Sequence, residues 1–201
     1  MNERKTIIYT CGKELFEKRG FKDTGVHEIM KCAGMAAGTF YNYYSSKDML
    51  FMEIYIDENA KLKRRILDSL DLKGDPNTVM REMIMKNQQG MEENPILREW
   101  YNRDVFQRLE QSFREANGLE HVDFLYDSFI EIVRGWQTEG KMRSDIDAEM
   151  VMAIFSALIN IETHKGEIGL QFFPKVLEYL AEFTMAGLMR EPLDEKHSNL
   201  S

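Results

Sequence analysis

Thr39, Tyr41, Asn42, Tyr43 and Lys47 crowd hydroxyls, a carboxamide and an ammonium into one short stretch. Hydroxyls and cations suit phosphate oxygens, while a carboxamide can pair with the edge of adenine. Just before them, Ala36, Ala37 and Gly38 are small, so backbone here can come close to a groove. The pattern therefore points to recognition rather than turnover. No Gly-rich phosphate loop, G-x-S-x-G or H-E-x-x-H occurs. Glu92–Glu93 and Asp145/Asp147 lie in polar connectors and read as solvated cap or turn residues. No metal-site spacing is present either, so no catalytic residue, metal or cofactor is expected.

Helical periodicity dominates the chain, strand alternation is lacking, and the expected class is all-α. A first helix is predicted from about Glu3 to Lys18, with Ile7, Ile8, Cys11, Leu15 and Phe16 as its buried stripe and Gly20 ending it. A second helix starts near Val26, with Gly25 as N-cap and Glu28 well placed against the helix dipole. Gly34 suits a left-handed turn. A short third helix spans about Ala37 to Tyr43, packed through Ile29, Ala33, Met35, Phe40 and Tyr44. Two short helices across a tight turn make a helix-turn-helix, whose second helix presents its first residues to DNA bases. A fourth helix follows the N-cap Ser46 and runs to about Ser69, with Leu50, Ile54, Ile66 and Leu70 inward and Lys61 to Arg65 as a basic patch. Further helices are predicted at about 77–91, 96–116, 120–139, 147–164 and 174–190, starting near Pro76, Pro95 and Pro174.

The net charge of −8 argues against nonspecific coating of nucleic acid. Its distribution is uneven: residues 1–47 carry eight Lys/Arg against five Asp/Glu, net +3, and the remainder 18 against 29, net −11. A small basic head on an acidic body suits a head that meets phosphates. Cys11 and Cys32 make no disulfide framework; Cys11 is expected as a core thiol and Cys32 as more exposed, with no second thiol evidently placed for redox sensing. No apolar leader pattern follows Asn2 to Lys5, and the apolar run Met150 to Ile161 is too short to span a bilayer, so a cytoplasmic protein with no membrane partner is expected.

The series GF-x-x-T at Gly20 to Thr24, V-x-x-I at Val26 to Ile29, Ala33–Gly34 and GTFYNYYSSKDML at Gly38 to Leu50 resembles the TetR family of bacterial repressors. The likeness covers roughly residues 4–50. It implies a helix-turn-helix DNA-binding domain at 1–47 on a helical ligand-binding and dimerisation domain at 48–201. It also implies a homodimer that binds a double-stranded DNA operator and a small-molecule pocket in each body. Gly38 and Thr39 would begin the recognition helix. Tyr41 and Lys47 match phosphate-gripping positions, Asn42 and Tyr43 lie on the DNA side, and His27 matches a second-helix position that can face DNA. Ala36 and Ala37 stand where Ser and a longer polar residue are common, and Met30 replaces a usual small Ala.

In the body, aromatic residues and methionines at helical spacing serve either a core or an adaptable apolar cavity. Trp100, Tyr101, Phe106 and Phe129 are the candidate ligand-lining residues, for a small apolar or amphipathic effector. Ile154, Leu158 and Ile161 form one candidate dimer stripe, and Leu177, Leu180, Phe183 and Leu188 another. The expected function is a ligand-responsive transcriptional regulator, a repressor released from a palindromic operator by a small molecule. The alternative is a helical protein-binding adaptor that no longer reads DNA.

Overall fold

The computed structural model describes residues 3–102, 105, 123–161, 165–169, 171–173 and 175–189. Among the described residues there are helices and no strand, as the periodicity predicts. None of those helices is long and apolar enough to cross a membrane.

The chain forms two compact units, Met1–Ser69 with Ile84–Asp123, and Leu70–Met83 with Phe124–Ser201. The first opens with α1 (Glu3–Arg19), α2 (Val26–Cys32), a 3-10 helix (Ala37–Asn42) and α3 (Lys47–Asp68). α1 ends where the Gly20 amide bonds the Phe16 carbonyl and Gly20 takes φ 79°, a left-handed value that glycine adopts at least cost. Ile8, Cys11, Gly12 and Phe16 form its buried face. Ile7 is exposed and Leu15 only half-buried, a correction to the expected stripe: Ile7 sits one residue, or about 100°, off the face centred on Ile8. At Gly12 an added Cβ would lie 2.8 Å from Leu50 Cδ2, so α1 and α3 pack backbone to side chain there. Phe16, Phe21 and Phe51 complete this core as an aromatic cluster, with centroids 5.0–6.1 Å apart.

α3 begins at the predicted cap, with Ser46 Oγ accepting from the Met49 amide. Leu50, Ile54, Ile66 and Leu70 are all buried. α4 (Pro76–Glu93) and α5 (Pro95–Arg98) are separate helices because Asn94 starts a new one. Its side chain accepts from the Ile96 and Leu97 amides, and Pro95 follows in the first turn. A 3-10 turn, Glu99–Tyr101, ends α5, so the long helix expected at 96–116 is interrupted, and most of its remainder lies outside the described residues.

The second unit contains α6 (Asp123–Thr138), α7 (Ala148–Asn160), α8 (Lys165–Ile168) and α9 (Lys175–Leu188). Leu177 and Leu188 are buried there, whereas Phe183 is 65% exposed. The candidate dimer stripe on α9 is thus divided between core and surface.

A second correction concerns sulphur. Cys11 and Cys32 are joined by a disulfide, with Cα atoms 5.8 Å apart. Cys11 is buried as expected, but as half of a pair rather than as a free thiol. Two helices packed side by side bring together residues 21 positions apart in sequence, a proximity that spacing alone does not reveal.

Candidate nucleic-acid interface

Local chemistry builds the helix-turn-helix from its caps. Gly25 is extended, and its amide donates to Glu28 Oε2 at 3.1 Å, which secures the start of α2. The Gly25 amide holds the Glu28 carboxyl below the usual carboxylate range, with Arg19 assisting. At the other end, the Ala33 amide bonds the Ile29 carbonyl, and Gly34 turns the chain with φ 67°. The Met35 amide then returns to the Met30 carbonyl, which aims the chain into the 3-10 helix.

Two aromatic residues anchor that helix. Phe40 is fully buried and Tyr44 nearly so, with centroids 5.6 Å apart. The residues around them point elsewhere. Tyr41 is 63% exposed, and Ala37, Gly38 and Asn42 are also exposed, while Thr39 and Tyr43 are half-buried. A Cβ at Gly38 would meet no atom within 4 Å, so this backbone is open to an approaching surface. His27, on the first turn of α2, is exposed as well. Phe40 and Tyr44 are thus buried, as their spacing predicts, while Tyr41 and Asn42 are exposed.

Lys47 holds a further position. Its ammonium donates to the Phe21 carbonyl at 2.7 Å and the Thr24 carbonyl at 2.9 Å, and lies 4.2 Å from the Phe21 ring centroid. It therefore ties the turn between α1 and α2 to the start of α3. Three other residues brace the head, none of them given a role by the sequence. Thr24, 1% exposed, donates its hydroxyl to the Gly20 carbonyl at 2.8 Å. Glu99 reaches back to accept from the Phe21 amide at 2.9 Å. Glu58, on α3, accepts from Lys13 at 2.7 Å, Lys61 at 2.9 Å and Asn94 at 3.1 Å. Burial pushes the Glu58 carboxyl up, but the two ammonium groups outweigh it and hold it below the usual glutamate range. Thr24 is part of the GF-x-x-T signature, so its position was marked. Glu58 and Glu99 carry little local signal, because apart from Lys61 the partners named here are distant in sequence.

These elements, in this order, match known proteins. Residues 8–54 fit the sequence profile of the bacterial regulatory proteins of the tetR family. Over these residues the chain resembles the helix-turn-helix head of that family. It is 36% identical over 78 residues to the uncharacterised HTH-type transcriptional regulator YdgC of Bacillus subtilis, a match covering 39% of each chain. The matched stretch is thus about two fifths of that relative's length. The HTH-type transcriptional repressor KstR2 of Mycobacterium tuberculosis is 22% identical over 151 residues, 75% of each protein. In fold, the chain resembles the fatty acid degradation regulator FadR from Bacillus halodurans, with a TM-score of 0.60, 15% identity, and 94% of this chain and 96% of that one covered. The likeness shows a shared helical fold over most of the chain, beyond the profile match.

The candidate ligand residues are dispersed. Trp100 and Tyr101 are half-buried in the first unit, and Trp100 stacks on Tyr55 of α3 at 5.2 Å. Phe129 is buried in the second unit, and Phe106 lies outside the described residues. A cleft of about 500 Å³ in the first unit is lined instead by α1, α3 and α4 residues, among them Glu17, Arg65, Lys86 and Glu93. Among the described residues no group of His, Cys, Asp or Glu side chains could hold a metal ion.

Proposed function

We propose that this protein is a DNA-binding transcriptional regulator, a homodimeric repressor whose two heads sit on a palindromic operator and are released by a small apolar or amphipathic molecule. The observation that carries the reading is the division between buried anchors, Phe40 in the 3-10 helix and Tyr44 just after it, and outward polar residues, Tyr41 and Asn42. Asn42, Thr39 and His27 read bases, with Ala37 and Gly38 allowing close approach. Tyr41, Tyr43 and Lys47 meet phosphate. Lys47 also holds the Phe21–Thr24 turn, so its loss acts twice, weakening binding to every sequence and loosening the head.

The body supplies the second copy and the switch. Tyr179 and Phe183 on α9 stack at 6.0 Å and are both more than half exposed, which suits an apolar face covered in a homodimer. Trp100 and Tyr101, in the first unit, supply effector contacts. Trp100 adjoins Glu99, whose carboxylate holds the Phe21 amide, so a change at Trp100 reaches the turn between α1 and α2. The effector lowers operator affinity only by its differential affinity for the two arrangements of the heads. The site of action is the cytoplasm.

Selection from random duplexes with the purified protein tests the assignment. A palindromic site with two half-sites and strongly salt-dependent binding is expected. Asn42→Ala should relax one or two half-site positions, at about 1–3 kcal/mol each, while leaving nonspecific affinity nearly intact. Recovery of no enriched sequence and no salt dependence would mark the chain as a protein-binding adaptor instead.

A further inference from the structure

We propose that Cys11 and Cys32 form a reversible thiol–disulfide switch in the DNA-binding head, oxidised by hydrogen peroxide and reset by a low-molecular-weight thiol. The inference rests on the DNA-binding reading above.

The geometry divides the pair into an entry point and a partner. Cys32, the last residue of α2, is exposed, whereas Cys11, in the middle of α1, is 8% exposed. Oxidant and reductant must therefore both arrive at Cys32. The Cys32 thiolate attacks a peroxide oxygen, forming an S–O bond and breaking the O–O bond; the leaving hydroxide takes up a proton as water. The resulting sulfenic acid is attacked by the Cys11 sulphur. The S–S bond forms, the S–O bond breaks, and the second water leaves with the Cys11 proton. Two electrons pass from the two thiols to one peroxide. A thiol resets the pair by attacking Cys32, releasing Cys11 as a thiolate, and a second thiol equivalent then frees Cys32 as the mixed disulfide becomes a small-molecule disulfide.

The bond sits where it can be read. Cys11 adjoins Gly12, which packs tightly against Leu50, so its side of the bond is fixed to the α1–α3 frame. Cys32 immediately precedes the Ala33–Gly34 turn that aims the recognition segment. Reduction removes the covalent tie between the end of α2 and the middle of α1. The end of α2 moves relative to α1, and base-edge hydrogen bonds tolerate little displacement. A DNA-bound regulator works where thiols are kept reduced, and disulfides formed there are usually transient and redox-sensing rather than structural. The dithiol is thus the resting, DNA-binding form, and oxidation releases the operator.

The test uses the full chain and a duplex selected by the reduced protein. Anisotropy titrations compare protein kept in dithiothreitol, protein treated with hydrogen peroxide, and treated protein reduced again. Non-reducing peptide mapping quantifies the Cys11–Cys32 bond. We expect peroxide to form the bond and weaken binding at least fivefold, and dithiothreitol to restore it. Cys32→Ser, at the exposed end, should bind like the reduced wild type and lose the response. That variant also controls for methionine oxidation, which dithiothreitol does not reverse. In the reduced native protein, iodoacetamide should label Cys32 well before Cys11. Failure of the bond to form, affinities within twofold in both states, or tighter binding when oxidised would each overturn the switch while leaving DNA reading intact. Selection of no duplex in either state would overturn both.

Discussion

The head with α3 and the C-terminal helical unit place charge and apolar surface differently. In the head, ionic groups reach across elements into half-buried seats: Lys47 onto two carbonyls, and Lys13 from α1 onto Glu58 of α3. Its large aromatics, Phe16, Phe21 and Phe51, face one another and are almost fully buried. In the C-terminal unit, Arg134 pairs with Glu131 and Glu149 at the surface, with half of its side chain exposed. Arg143 pairs with Asp145, two residues along. Met150, Phe172, Tyr179 and Phe183 stand outward. The difference teaches that the head turns its large phenylalanines upon one another, whereas the C-terminal unit carries several large apolar side chains outward.

The strongest way to break that contrast is to empty the head's core. Phe51→Ala should destabilise the protein by about 3–5 kcal/mol, measured by urea unfolding. A loss near that of a surface site would mean that the aromatic cluster does not hold the head.

Removing the Glu58 charge should come next. Glu58→Gln leaves two ammonium groups without their shared carboxylate and should cost about 1.5–3 kcal/mol at neutral pH. The folded carboxyl titrates below the usual glutamate range, so its contribution is present above that range and is lost as pH falls through the lower folded value. Wild type should therefore lose stability as pH falls below the usual glutamate range. The variant should lack the part of that acid slope due to Glu58. Parallel acid limbs would dismiss the hub.

Gly90→Ala tests how closely the later half of α4 meets α3. An added Cβ would lie 2.2 Å from Leu62 Cδ1, so a cost of about 1–3 kcal/mol is expected in thermal unfolding. An unchanged midpoint would show that the Leu62 side chain yields freely.

The smallest intramolecular effect belongs to Phe183→Ala. Because the ring is mostly exposed, the fold itself should change by less than about 0.5 kcal/mol when unfolding is followed under monomeric conditions. Sedimentation should nevertheless show weaker self-association. An unaltered dimer constant would remove α9 from the proposed contact.

Much of the head was legible because its determinants are local. Gly20, Gly25, Gly34 and Ser46 mark helix ends by backbone freedom or a capping oxygen, and each acts within a few residues of itself. Phe40 and Tyr44 differ from Tyr41 and Asn42 by their place in one short turn. The body was less legible. Leu177, Leu188 and Phe183 look alike as apolar α9 residues, yet two are buried and one is not, since burial depends on what packs against the helix.

The sequence by itself determined an all-helical chain, a helix-turn-helix with Phe40 and Tyr44 packed inward, and a family likeness in the first quarter of the chain. Only the tertiary structure paired Cys11 with Cys32, seated Lys47 on the Phe21 and Thr24 carbonyls, brought Glu99 to the Phe21 amide and gathered Lys13, Lys61 and Asn94 around Glu58. Helix periods and caps are written in spacings of three to eight residues. Apart from Lys61, those contacts join residues 21 to 78 positions apart, where only the packing of whole helices sets the distance.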